Sequence, residues 1–290
     1  MFKGAITALI TPFRNGKLDA AALRKLVAFQ IRNGIHGIVA CGTTGEASTL
    51  SFEEHEKVIQ IVLDAVKGKV RVIAGTGSNS TKEAVILTRY ARKAGADAAL
   101  IVTPYYNKPT QKGLIDHYKA IAEEVDIPII LYNVPGRTGV NMTADTVARL
   151  AEIKNIVGLK EASGNFAQIC EILRSTPEDF CLLSGDDALY FPMLALGADG
   201  VISVTSNVAP REMVDLYEAC VAGDIARARE LHFRLWPLMQ VLFIETSPIP
   251  VKTAVAMMGM VQEELRMPLC AMSEANRKTL AKVLAGLKMV

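Results

Sequence analysis

A (β/α)8 TIM barrel with a small helical C-terminal extension is the α/β fold that this chain of 290 residues predicts. Three observations carry the prediction. Eight short apolar runs rich in β-formers recur along the chain, and each is followed by a longer stretch of helical period. That alternation argues for parallel strands joined by right-handed crossovers. The units occupy roughly 220 residues, the scale of a closed barrel. The alternative is an open doubly wound sheet, whose cue is GxGxxG after the first strand. Only GTGSNS at 75–80 approaches that cue. It follows the third strand, lacks a third glycine and reads as a βα loop.

The first run, GAITALITP (4–12), follows a single lysine and resembles a weak signal peptide. No clear cleavage site follows, so a first buried strand is the preferred reading. A helix spans 19–33, with Asp19 placed to cap it and Leu23, Leu26, Val27 and Gln30 at helical spacing. The second run is GIHGIVACGT (34–43). Ser51 then opens a helix, with Glu54 completing a capping box. Further runs are VRVIAGTGS (70–78), DAALIVTPY (97–105) and IPIILYNVP (127–135). The last three are IVGLKEAS (156–163), FCLLSGDD (180–187) and DGVISVTSN (199–207). Thr81, Thr143 and Asn165 open intervening helices, and Gly34, Gly68, Gly95 and Gly197 stand where helices should end. Strand texture stops near residue 224, so 1–224 reads as the barrel and 225–290 as the extension. The extension holds a helix interrupted at Trp236-Pro237, a second opening at SPIPVK and an amphipathic final helix from SEANRK.

Composition narrows the function classes. Half the residues are hydrophobic and the net charge is only +2, spread without a basic stripe. That excludes a nucleic-acid footprint and favours a small-molecule substrate. Five cysteines (Cys41, Cys170, Cys181, Cys220 and Cys270) form no CxxC, and an odd count fits a reducing, cytoplasmic setting. The four histidines show no metal-ligand spacing. No apolar run reaches the roughly 18 residues that a membrane helix needs.

Active-site residues of such barrels sit at the C-terminal ends of the strands. Those ends carry one lysine, Lys160, alternating with Ile156 and Gly158 so that the glycine leaves space beneath it. Burial lowers a lysine's pKa, and a neutral amine in an apolar pocket is a Schiff-base nucleophile. The competing reading is a structural ion pair with Glu161 or another carboxylate. Tyr132 ends the preceding strand and should neighbour Lys160, where a phenol can move the protons that carbinolamine chemistry requires. On its own it reads equally as a core tyrosine. CGTTGE offers two hydroxyls, from Thr43 and Thr44, and backbone N–H groups between glycines, either an anion nest or a plain turn. Arg137, in VPGRTG, is a bidentate carboxylate clamp or a solvated loop residue. Cys41 reads as packing. Together these parts fit imine formation on a small keto acid, followed by carbon–carbon bond formation or cleavage.

GTTGE, YNVPGRTG, GLKEASG and SGDD stand in that order at barrel spacing. On these motifs the chain resembles, over essentially its whole length, the pyruvate-dependent class I aldolases, the superfamily of dihydrodipicolinate synthase and N-acetylneuraminate lyase. Arg137 and SGDD put the resemblance on the synthase side, since sialic acid lyases lack that arginine. The resemblance implies condensation of pyruvate with L-aspartate-4-semialdehyde to 4-hydroxy-tetrahydrodipicolinate, which commits carbon to lysine and diaminopimelate synthesis. It implies that Lys160 forms the Schiff base and that Thr43 and Thr44 hold the pyruvate carboxylate. It implies that Tyr132 shuttles protons, linked through Thr43 to Tyr106 of a neighbouring subunit. Arg137 would bind the semialdehyde carboxylate, and backbone carbonyls at Gly185 and Ile202 would orient the site. No cofactor or metal is implied beyond the covalent bond to pyruvate. A cytoplasmic homotetramer, built as a dimer of dimers, follows from the same resemblance.

Several relatives carry a lysine feedback site at a dimer interface. The matching positions are Ser48, His55, Asn79, Glu83 and Tyr105, which otherwise simply pack that interface. Phe52 stands where some inhibited relatives have histidine. Ser247 stands where the family often has asparagine and, lying in the C-terminal part, is expected to leave the chemistry unaffected. Two rival readings stay open. One is another aldolase of the superfamily, acting on a 2-keto-3-deoxy sugar acid, N-acetylneuraminate or 4-hydroxy-2-oxoglutarate. The other is a barrel that binds a keto acid without turnover, against which Lys160, Tyr132 and Thr43 argue.

Overall fold

Eight parallel strands close on themselves in the computed structural model, which describes residues 2–290. They are β1 (Gly4–Ala8), β4 (Gly37–Ala40), β5 (Arg71–Gly75), β6 (Ala98–Val102), β7 (Ile129–Asn133), β8 (Ile156–Glu161), β9 (Cys181–Ser184) and β10 (Gly200–Ser203). A separate two-stranded hairpin, β2 (Phe13–Arg14) and β3 (Lys17–Leu18), sits in the first connection. Neighbours around the barrel follow chain order, and β1 closes it by pairing with both β4 and β10. The opening apolar run is therefore a barrel strand.

The helices that follow the strands around the barrel are α1 (Ala20–Arg32), α2 (Phe52–Val66), α3 (Thr81–Ala94), α4 (Gln111–Glu124), α5 (Pro135–Thr138), α6 (Ala144–Ala151), α7 (Phe166–Ser175), α8 (Tyr190–Ala195) and α9 (Pro210–Val221). Three more follow α9, beyond the barrel: α10 (Ile225–Val241), α11 (Ile249–Met257) and α12 (Glu274–Gly286). Asp19, Thr143 and Asn165 cap as the sequence predicts, and Ser51 and Glu54 complete their capping box. Two caps differ. Ser80, not Thr81, accepts from the Glu83 amide, and Thr81 instead pairs with His117 Nδ1 at 2.9 Å. Thr110 caps α4, its hydroxyl accepting the Gly113 amide.

Each strand is shorter than its apolar run and ends where the loop backbone turns. Cys41 leaves β4 at φ 56°, outside the extended region. The hairpin also escaped the sequence reading, although Asn15-Gly16 is a strong two-residue turn signal. Both residues have positive φ, and the Glu264 carboxylate accepts their amides at 2.8 and 2.6 Å. The predicted break at Trp236-Pro237 is absent, because α10 runs through Pro237. An interior proline costs about 3 kcal/mol, but the buried face of Leu231, Leu235, Leu238 and Met239 holds the helix together.

Two cores result. An outer one lies between strands and helices. An inner one fills the barrel with Ile6, Val39, Ile73, Leu100, Ile130, Leu183 and Ile202. One strand departs from simple alternation. Ile129 pairs with Ile156 but Ile130 pairs with Gly158, so β8 carries a bulge at its base. Ile156 then joins Leu159 in the outer core, contrary to the expected register with Lys160. Gly158 leaves no open space either: a Cβ there would lie 2.5 Å from the Cys181 carbonyl oxygen.

Candidate active site

Lys160 and Tyr132 are direct register partners on β8 and β7. Both side chains enter a cavity of about 440 Å³ at the C-terminal end of the barrel. Lys160 is only 5 % exposed, and its Nζ lies 4.3 Å from the centre of the Tyr132 ring. Among the described residues it forms no ion pair within 4.0 Å. The next residue shows why. Glu161 is buried on the opposite face, where it accepts from Asn133 Nδ2 at 3.0 Å, the Ser163 amide at 2.6 Å and Gln168 Nε2 at 3.3 Å. Three neighbours thus hold a carboxylate that alternation had already turned away from the lysine. The glycine that makes room for the Lys160 stem is Gly185, where a Cβ would lie 3.1 Å from Lys160 Cε and 2.6 Å from Ala162 Cβ.

Thr43 and Thr44 line the same cavity, Thr44 being buried. The turn that presents them uses the amides of Gly45 and Glu46 internally, to the carbonyls of Gly42 and Thr43 at 3.0 Å each. With those two amides taken, the donors an anion could meet at this turn are fewer than in a full nest. Glu46 is left-handed, at φ 54°, and its side chain is fully buried against Lys252 Nζ at 2.5 Å. Its other oxygen accepts the Arg266 amide at 3.0 Å. Sequence reasoning gave neither Glu46 nor Lys252 a role. The available signal was Lys252 itself, a lone cation inside the apolar stretch IPVKTAVAM.

Arg137 stands on the one-turn helix α5, opened by Pro135, and lines the cavity. Its guanidinium donates to the Ser247 carbonyl at 3.1 Å. Position 247 therefore lies against the site, not away from it. Ile202 also lines the cavity. Beside it, Asp187 of SGDD accepts the Val204 and Thr205 amides at 3.0 and 2.8 Å, and burial pushes its carboxyl above the ordinary value. Tyr106 lies apart. It is 89 % exposed, at φ 72°, and does not line this chain's cavity, whereas Tyr105 does.

Ser48, His55, Glu83 and Tyr105 line the same cavity, together with Phe52. Asn79 stands outside the lining and accepts Asn107 Nδ2 on its carbonyl at 2.9 Å. His55 is buried, donates Nε2 to the Gly75 carbonyl at 2.8 Å, and has its pKa lowered by desolvation. Glu83 accepts from the Ser78 hydroxyl at 2.6 Å. Burial pushes the Cys41 thiol well up, which makes it a poor nucleophile. Among the described residues no cluster of metal-ligating side chains occurs, and no helix is long and apolar enough to cross a membrane.

Comparison with known proteins places this geometry. Residues 1–287 match the Dihydrodipicolinate synthetase family. The chain is 57 % identical over 289 residues to the 4-hydroxy-tetrahydrodipicolinate synthase of Thermodesulfovibrio yellowstonii, covering 99 % of both. The crystal structure of dihydrodipicolinate synthase from Aquifex aeolicus superposes with a TM-score of 0.98 at 54 % identity, covering 99 % of both chains. The chloride-inhibited enzyme of Acinetobacter baumannii, solved in complex with pyruvate, superposes with a TM-score of 0.98 at 47 % identity over the whole of both chains.

Proposed function

This chain belongs to the dihydrodipicolinate synthetase family, and we propose that it condenses pyruvate with L-aspartate-4-semialdehyde through a Schiff base on Lys160. The product is 4-hydroxy-tetrahydrodipicolinate, which enters lysine and diaminopimelate synthesis. One observation carries the reading: a buried lysine faces a keto-acid-sized cavity with a phenol beside it and no carboxylate paired to it.

The Lys160 amine adds to the carbonyl carbon of pyruvate, whose carboxylate rests on Thr43 and Thr44. Tyr132 returns a proton to the hydroxyl, water leaves, and the protonated imine forms. Loss of a methyl proton gives the enamine. Its carbon attacks the aldehyde of the second substrate, whose carboxylate Arg137 holds, and the aldehyde oxygen takes up a proton. The substrate amine then adds to the imine carbon, closes the ring and displaces Lys160. The imine is the electron sink, so the chemistry calls for no metal. The carbonyls of Gly185 and Ile202 orient the site.

Tyr106 completes the proton path in the site of another copy, a role its near-full exposure here supports. The assembly is a homotetramer, a dimer of dimers, working in the cytoplasm. Ser48, His55, Asn79, Glu83 and Tyr105 form a lysine feedback site at the dimer contact.

Borohydride reduction in the presence of pyruvate, read by peptide mass spectrometry, tests the mechanism. The label is expected on Lys160, and an unmodified Lys160 would overturn it. Supplying L-aspartate-4-semialdehyde against N-acetylneuraminate or 2-keto-3-deoxygluconate separates this reading from its sister aldolases, with ring product expected only from the first. Sedimentation should give four copies, and added lysine should lower turnover.

A further inference from the structure

The segment from Thr246 to Lys252 lies outside the eight strands, yet it touches both carboxylate-binding elements at the mouth of the barrel. The Ser247 carbonyl accepts from Arg137 at 3.1 Å. Five residues later, Lys252 pairs at 2.5 Å with Glu46, two residues beyond Thr44. We propose that this segment is a brace that sets the span between the Thr43-Thr44 turn and Arg137, with Lys252 and Glu46 as positioning residues for the two substrate carboxylates. The inference rests on the roles given above to Thr43, Thr44 and Arg137.

The local energetics point the same way. Replacing a buried ion pair by well-packed apolar groups is often neutral or stabilising, so stability alone does not account for one. Here both side chains are fully inaccessible. The other buried residues of α11 are Ile249, Pro250, Val251, Thr253, Ala254 and Val255, so the pair sits on a helix whose buried residues are otherwise almost all apolar. Burial pulls the Lys252 pKa below the ordinary lysine value, against the opposing effect of the Glu46 carboxylate.

What the pair does hold is backbone. Glu46 is a non-glycine residue at φ 54°, a conformation that persists only where its surroundings impose it. Its two oxygens are fixed by Lys252 Nζ and by the Arg266 amide. Lys252 Nζ and the Arg266 guanidinium both stack on the Phe13 ring, at 4.2 and 4.3 Å. Arg266 also clamps both oxygens of Glu54 and donates to the Thr49 carbonyl at 2.9 Å, on the far side of the same turn. The GTTGE turn is thus gripped by Lys252, from the segment that also meets Arg137, and by Arg266 beyond it.

The test is a KM-against-kcat split on the full-length enzyme, with pyruvate and L-aspartate-4-semialdehyde varied in turn. The double variant E46Q/K252M removes both charges at nearly constant volume. It should raise KM for both substrates about tenfold and change kcat by less than about threefold, because a loosened carboxylate contact is lost equally from ground and transition states. A pair that served only the fold would lower the amount of active enzyme and leave both KM values in place. KM values within about twofold of wild type overturn the brace. If the double variant yields no folded protein, E46D is read by the same split. It keeps both charges and shortens the reach, so a raised KM supports the brace and wild-type values overturn it. Borohydride labelling of the wild-type enzyme with pyruvate runs alongside. An unlabelled Lys160 sinks the mechanism itself, whereas a labelled Lys160 with unmoved KM values sinks the brace alone.

Discussion

Lys160 and Lys252 are both buried, and both lie above an aromatic ring, Tyr132 at 4.3 Å and Phe13 at 4.2 Å. They differ in what answers the charge. Lys252 meets a carboxylate in a site with no room for a ligand. Lys160 meets none and opens instead on a cavity of about 440 Å³. An unpaired buried ammonium is costly, and a cavity beside it lets a reactive carbonyl reach the amine. The comparison separates a lysine closed in by its carboxylate from one left open to a cavity, and burial alone makes no such distinction.

Removing each amine should break different things. Lys160→Met should lower turnover by about four orders of magnitude or more, since the proposed covalent nucleophile is lost, while its thermal midpoint stays close to wild type. An assay of ring product together with a melting curve checks both halves. Lys252→Met strands the Glu46 carboxylate in the interior and should cost about 3–5 kcal/mol of stability. Urea unfolding measures that loss, and Glu46→Gln in the same chain should recover most of it. A Lys252→Met chain as stable as wild type would erase the contrast between the two lysines.

Tyr132→Phe keeps the ring beside Lys160 and removes only its hydroxyl. It should slow turnover about 100-fold or more with the fold intact, and near-wild-type turnover would remove it from the proton path. The smallest effect concerns a third buried base. His117 has no carboxylate partner, and desolvation lowers its pKa to about 4 from 6.5. The folded state therefore resists protonation while the unfolded state accepts it. The stability this group contributes is present above pH 6.5 and is lost as pH falls toward 4. Between pH 6.5 and 5 the loss should be about 2 kcal/mol, and His117→Gln should flatten that part of the stability curve. An unchanged slope would remove burial as the cause.

Most of the architecture was legible because it rests on short-range chemistry. The eight apolar runs, the Ser51–Glu54 capping box and the caps at Asp19, Thr143 and Asn165 each depend on residues within a turn or two of one another. The misreadings have the same character in reverse. Strand ends are shorter than the apolar runs because the backbone leaves the ladder there, as Cys41 does at φ 56°, and Pro237 lies in a helix held by packing instead of local propensity. Lys160 and Tyr132 were legible as neighbours because parallel strands of known order put successive strand ends side by side.

The sequence alone determined the barrel, the strand that carries the lysine, and the face from which Glu161 is excluded, because alternation and chain order are properties of the sequence itself. Tertiary structure decided the rest. The bulge at the base of β8 sends Ile156 outward, and Gly185 instead of Gly158 clears space for the Lys160 stem. Tyr106 is left out of its own chain's cavity. Glu46 finds Lys252 across 206 residues, and Arg137 finds Ser247 across 110. Spacing along the chain carries no record of such partners, since only closure of the barrel and the docking of α11 bring them within hydrogen-bond reach.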